Sequence, residues 1–179
     1  MTFRRLVVLA GIALLAGSVA AHAAESKHMV GVGLETAFLD VDGLPDALEF
    51  NGFSVFGKWG ITKNWGILIS YRDMEDNEDL LFGEKDSYNQ IGVYGVYMWR
   101  ADKKVRPHIK FGASRVDLDV EVPGFPTTSD DDTAFSIGGG MEAGSQRVAF
   151  FADYDFCTVS LLGADSDIGD LTLGVAFKF

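Results

Sequence analysis

The sequence predicts an all-β protein, an eight-stranded antiparallel up-and-down β-barrel that crosses a membrane. Three observations carry this. Eight segments alternate apolar side chains with small or polar ones. Hydrophobic residues make up 47% of the chain, yet beyond its start no stretch is apolar enough for a spanning helix. A membrane protein without such helices has to be a closed barrel, because only closure satisfies every backbone group in lipid. Finally, all three tryptophans stand beside short connections, as one half of an interfacial aromatic girdle would.

Residues 1–23 read as a cleaved signal peptide. Arg4 and Arg5 supply the positive start, residues 6–16 the apolar stretch, and Ala21-His22-Ala23 the small-x-small cleavage pattern. The apolar run is shorter than the roughly 20 residues of a spanning helix. No cysteine follows it, so a lipoprotein anchor is not expected. Cleavage after Ala23 leaves a single domain, 24–179. Losing Arg4 and Arg5 takes the formal charge from −11 to −13, which argues against nucleic acid as a partner. The one cysteine, Cys157, permits no internal disulfide and reads as a small apolar filler.

The strands follow in order. In 29–39, Val30, Val32, Leu34, Thr36 and Phe38 oppose Gly31, Gly33, Glu35 and Ala37. In 50–61, Phe53, Val55, Gly57, Trp59 and Ile61 oppose Ser54, Phe56, Lys58 and Gly60. After the turn Thr62-Lys63-Asn64, segment 65–72 sets Trp65, Ile67, Ile69 and Tyr71 against Gly66, Leu68, Ser70 and Arg72. Segment 87–99 presents Ile91, Val93, Gly95, Tyr97 and Trp99 to lipid. In 105–116, Pro107, Ile109, Phe111 and Ala113 oppose His108, Lys110, Gly112 and Ser114. The apolar parity then switches to Val116, Leu118 and Val120, the mark of a bulge near Arg115 or of a hairpin emerging from the membrane. Segment 133–143 sets Phe135, Ile137 and Met141 against Ser136, Gly138, Gly140 and Glu142. Segment 147–156 opposes Val148, Phe150, Ala152, Tyr154 and Phe156 to Phe151, Asp153 and Asp155. The last, 170–179, alternates Leu171, Leu173, Val175, Phe177 and Phe179 with Thr172, Gly174, Ala176 and Lys178.

About ten residues suffice for a tilted strand to cross the hydrocarbon. An even strand count puts both termini and the short turns in the periplasm. The long connections (40–49, 73–86, 117–132 and 159–169) then lie outside the cell. Trp59, Trp65 and Trp99 form the periplasmic girdle. Phe38, Tyr71, Phe135, Tyr154 and Phe156 form its outer counterpart. The face opposite the aromatics carries Glu35, Lys58, Arg72, Lys110, Glu142, Asp153, Asp155 and Lys178. A soluble barrel interior would not hold so many charges, whereas a barrel with lipid outside can pair them in its lumen. Such pairs form a packed polar plug or, less directly, line a narrow gated path.

The outer connections are acidic, with Asp73, Glu75, Asp76, Glu78 and Asp79 in one, Asp130-Asp131-Asp132 in another and Asp165-Ser166-Asp167 in a third. None has EF-hand spacing, and no metal or cofactor is expected. Leu80-Leu81-Phe82 is an apolar point within the first. Nucleophilic hydrolysis needs a serine beside a histidine and a carboxylate. His22 falls in the signal peptide, and His28 and His108 lie at the periplasmic end, so no catalytic residues and no enzymatic activity are expected.

The alternating terminal run Leu171, Leu173, Val175, Phe177 and Phe179 resembles the signal read by the outer-membrane barrel-assembly machinery. The stretch Arg106-Pro107-His108-Ile109-Lys110-Phe111-Gly112-Ala113 is similar to a Pro-aromatic-x-x-Gly strand, with His108 where an aromatic is commoner. The mature chain thus resembles the small outer-membrane β-barrel family that includes the OmpA transmembrane domain, OmpX and the opacity or attachment-type adhesins. No peptidoglycan-binding domain is expected after the barrel. The resemblance implies the Gram-negative outer membrane, its lipid and lipopolysaccharide as surroundings, and a structural or adhesin-like role with a host or surface ligand held by the loops. A small pore is the second expectation.

Overall fold

The computed structural model describes residues 28–41, 47–76, 85–99, 103–121, 126–145, 147–161 and 163–179. The signal peptide, Glu78, Asp79 and Leu80-Leu81-Phe82 lie outside them. The elements are β1 (His28–Val41), β2 (Leu48–Gly60), β3 (Trp65–Asp76), β4 (Lys85–Met98), β5 (Val105–Glu121), β6 (Thr128–Gly144), β7 (Val148–Leu161) and β8 (Ala164–Lys178). Each pairs antiparallel with the next, and β8 closes on β1, giving a closed barrel. The Phe179 N–H donates to the His28 carbonyl at 3.0 Å, so closure reaches the last residue.

The short turns, at the end of the barrel that carries the start of β1 and the end of β8, are stapled locally. The Thr62 hydroxyl accepts the Trp65 N–H at 3.0 Å, and the Ser145 hydroxyl accepts the Val148 N–H at 3.1 Å. Small hydroxyl side chains hold such turns because they replace a backbone partner.

The strands run past what the membrane needs. β5 and β6 each have 17 residues, against about ten for a crossing. Their register is constant from Val105↔Ala143 to Val120↔Thr128. That constancy decides between the two alternatives the parity switch left open near Arg115: there is no bulge, and the switch marks a hairpin emerging from the membrane. Inside the bilayer, lipid draws apolar side chains outward. Above it, water bathes the outer wall, and the apolar set turns inward. Val116 and Leu118 are buried accordingly, packing with Leu39, Phe50, Met74, Tyr88, Val159, Leu161 and Ile168.

The same inversion corrects the last long connection. Residues 159–169 are not a loop. β7 and β8 continue to Leu161↔Ala164, and the turn uses Gly163 at φ 80°, a left-handed conformation that glycine takes without a Cβ clash. The acidic groups Asp130-Asp131-Asp132, Asp165, Asp167, Asp73, Glu75 and Asp76 therefore stand on strands, not in loops.

On the outer wall, Leu34, Phe135, Ile137, Phe150, Leu173 and Phe177 are more than half exposed. So wide an apolar band belongs in contact with lipid. Trp59, Trp65 and Trp99 are exposed at its lower rim. There the Trp65 and Tyr97 rings lie 4.9 Å apart, tilted to each other, and Tyr97 meets Trp99 edge to face at 5.1 Å. Phe38, Phe135, Tyr154 and Phe156 are exposed nearer the outer rim, where Tyr71 donates to the Asn89 side chain at 3.1 Å.

Candidate functional site: the lumen and the acidic crown

Parity sends Glu35, Lys58, Arg72, Lys110, Glu142, Asp153, Asp155 and Lys178 into the lumen, all buried. They form two groups at different heights. In the middle, Arg72 from β3 reaches across to three strands. It pairs with Asp155 of β7, with Asp170 of β8 at 2.9 Å and with Glu35 of β1 at 3.4 Å, and donates to Gln90. Lys110 of β5 bridges Asp153 and Asp155, each at 2.9 Å. His108 Nε2 lies 3.1 Å from Asp153, and Thr172 donates to Glu35 at 2.7 Å.

Toward the short-turn end, Glu142 of β6 gathers three cations. Lys58 stands at 2.7 Å, Lys178 at 2.9 Å, and Arg106 makes the third pair. Five members of these networks are new relative to the sequence-based set of lumen charges: Asp170, Gln90, Arg106, His108 and Thr172. Asp170 shares parity with Thr172 and Lys178, and His108 and Arg106 with Lys110, so alternation was the available signal. The cations Lys58, Arg72, Arg106, Lys110 and Lys178 balance the acids Glu35, Glu142, Asp153, Asp155 and Asp170. That balance suits a low-dielectric interior, where an excess charge is costly.

Apolar layers separate and cover these belts. Below the middle belt, Phe56 of β2 meets Phe151 of β7 edge to face at 4.8 Å, with Met29, Leu68, Tyr94 and Val96 around them. The Tyr94 ring also faces Lys110 Nζ at 5.6 Å. Above the middle belt sits the inward-turned apolar cluster of the emergent wall, including Phe50 and Tyr88 with rings 5.7 Å apart. Strands from opposite walls touch in both charged belts and at the Phe56–Phe151 pair between them. The lumen is filled, as an eight-stranded barrel permits.

Glycines make this filling fit. Gly138 and Gly140 pair with Asp155 and Asp153, and a Cβ at either would strike the facing carboxylate oxygen. Gly138→Leu should destabilise the barrel by about 1–3 kcal/mol through overpacking, read as a lower urea midpoint in tryptophan fluorescence. An unchanged midpoint would mean the lumen has room to spare.

Among the described residues, no group of His, Cys, Asp or Glu is arranged to hold a metal ion. Cys157 is buried as a free thiol in the upper apolar cluster.

A model of the outer membrane protein beta-barrel domain matches residues 9–179. The chain belongs to this family. Its barrel therefore resides in the Gram-negative outer membrane, in contact with its lipid. No curated protein matches the sequence. Among solved structures, this outer-membrane barrel is similar to the attachment invasion locus protein Ail of Yersinia pestis. There the TM-score is 0.68 at 16% identity, covering 87% of this chain and 100% of Ail. Neisserial surface protein A gives a TM-score of 0.74 at 14% identity, over 86% of this chain and 98% of that one. OprG of Pseudomonas aeruginosa gives 0.62 at 10% identity, over 87% and 97%. At these identities the likeness is one of fold.

The outer-membrane barrel ends above the membrane in an acidic crown. Asp40, Glu49, Glu75, Asp117, Asp119, Asp131, Asp165 and Asp167 ring its exposed faces. Arg115 stands among them, bound to Asp117 at 3.2 Å and Asp131 at 3.0 Å.

Proposed function

We propose that this chain is a closed, non-enzymatic surface barrel, structural or adhesin-like, whose contacts are made by its acidic crown. One observation carries this: the lumen is bridged wall to wall at several heights, leaving the emergent hairpins as the exposed functional surface. The runner-up, a small gated pore, draws on the charges in the middle of that lumen. Against it, an apolar layer both covers and underlies them.

The sign of the crown sets the partner. Ail was crystallised with sucrose octasulfate, a heparin analogue, a polyanion. An acidic crown repels such a ligand and steers basic ones toward itself. The test uses the barrel in lipid nanodiscs against immobilised poly-lysine, with sucrose octasulfate in a parallel cell. Poly-lysine is expected to bind in a salt-sensitive way, weakened by about tenfold when Asp117, Asp119, Asp131, Asp165 and Asp167 become Asn. Binding indifferent to those substitutions, or preference for the polyanion, would overturn the reading.

Export is proposed to proceed through removal of residues 1–23, and assembly through the terminal run Leu171, Leu173, Val175, Phe177 and Phe179. Lipopolysaccharide then surrounds the outer rim. Intact mass of the membrane-extracted protein is expected to begin at Ala24. A mass retaining Met1 would contradict cleavage. Deleting Phe179 should lower the amount of heat-modifiable barrel in the membrane while leaving synthesis unchanged.

A further inference from the structure

One seam of the barrel stays open above the membrane. The β6–β7 ladder stops at Ser136↔Cys157. Yet β6 continues outward to Thr128, paired with β5, and β7 continues to Leu161, paired with β8. Residues 128–135 of β6 and 158–161 of β7 thus each keep one unpaired edge. The neighbouring seams close close to their strand ends: β5–β6 at Val120↔Thr128, β7–β8 at Leu161↔Ala164 and β1–β8 at Val41↔Ser166.

Backbone donors at an open edge need partners. Here side chains supply them. The Asp131 N–H donates to Asp130 at 2.9 Å and the Thr133 N–H to Asp132 at 2.7 Å. The other Asp132 oxygen accepts the Ser160 N–H across the gap at 2.8 Å. Carboxylates therefore stand where the carbonyls of a ladder partner would.

We propose that this notch docks an extended peptide rich in arginine or lysine, added as a strand to the β6 edge. The proposal rests on the crown being the working surface and names its partner. Charge complementarity selects the occupant. Between Arg115 and Lys178 the sequence holds a single Lys or Arg, Arg147, which precedes β7 at the short-turn end, away from the notch. The notch is flanked instead by Asp117, Asp119, Asp131, Asp165 and Asp167. On docking, peptide carbonyls take over the Asp131 and Thr133 amides. The released Asp130 and Asp132 carboxylates turn to the peptide's cations. Alternate peptide residues then point outward, toward Asp131 and Thr133, and inward, toward the buried Ala134, Val159 and Leu161. An alternating basic–apolar peptide fits both faces.

The probe is a short fluorescein-labelled peptide alternating arginine and valine. Its control carries proline for the central valine, keeping charge while removing an N–H and the strand geometry. Binding to the nanodisc-held barrel is followed by anisotropy. The alternating peptide is expected to bind about tenfold more tightly than the proline control, the worth of one to two backbone hydrogen bonds. Thr133→Pro, which blocks the β6 edge without changing charge, should erase that difference. Its folded state is checked by gel mobility before and after heating. If that variant fails to fold, the two peptides on the unsubstituted barrel decide. Equal binding of both peptides, lost when the crown aspartates become Asn, would overturn strand addition and leave the acidic-crown reading standing. Absence of binding by either peptide would overturn the proposal as well.

Discussion

Arg72→Met is expected to cost the barrel about 3–5 kcal/mol of unfolding free energy, the usual price of removing one partner of a buried ion pair. Arg72 is the shared counter-charge of Glu35, Asp155 and Asp170. Methionine preserves much of the volume, so packing changes little and the charge effect stands alone. Lys110 still holds Asp155, but Glu35 and Asp170 are left without their cation in a lumen closed above and below by apolar layers. Adding Asp170→Asn to Arg72→Met should recover part of the loss, since one stranded charge is then gone. Urea unfolding in lipid vesicles, followed by tryptophan fluorescence, measures both. A loss below about 1 kcal/mol would mean that water reaches Arg72 and that the lumen is not sealed.

The second large effect lies on the outer wall. Leu173→Arg should destabilise by about 2–4 kcal/mol, the cost of a cation on the lipid face near the bilayer midplane. Leu173 is 55% exposed and pairs with Leu34 and Ala152 in the apolar band. Ser129→Arg is the control. Ser129 is exposed too, but it stands on the emergent part of β6 opposite Asp119. There a cation meets water and an acid, so a change near zero is expected. Equal costs at the two positions would displace the membrane boundary drawn from the parity switch.

That boundary shows how much the sequence disclosed. Period-two alternation within lipid located all eight strands, the short turns and the inward set from Glu35 to Lys178. It lost the strand ends because alternation continues there with the opposite phase. Val159, Leu161 and Ile168 face inward above the membrane, so a reader expecting apolar residues outside sees a loop. Around Val116 the inversion was visible, but alternation by itself does not separate a bulge from an emergent hairpin. The pairing register does. Asp170 was hidden by its place at the presumed strand start, although its parity matches Lys178. The unpaired β6–β7 edge left no trace in composition. It depends on how far two strands separate, which is a property of the closed sheet.

The closed lumen is tested most directly by single-channel recording of the refolded protein in a planar bilayer. A folded barrel, verified by its gel mobility shift on heating, is expected to stay electrically silent, because paired charges and apolar layers fill its cross-section. Steady stepwise openings would contradict a filled lumen and place the ion pairs along a conducting path.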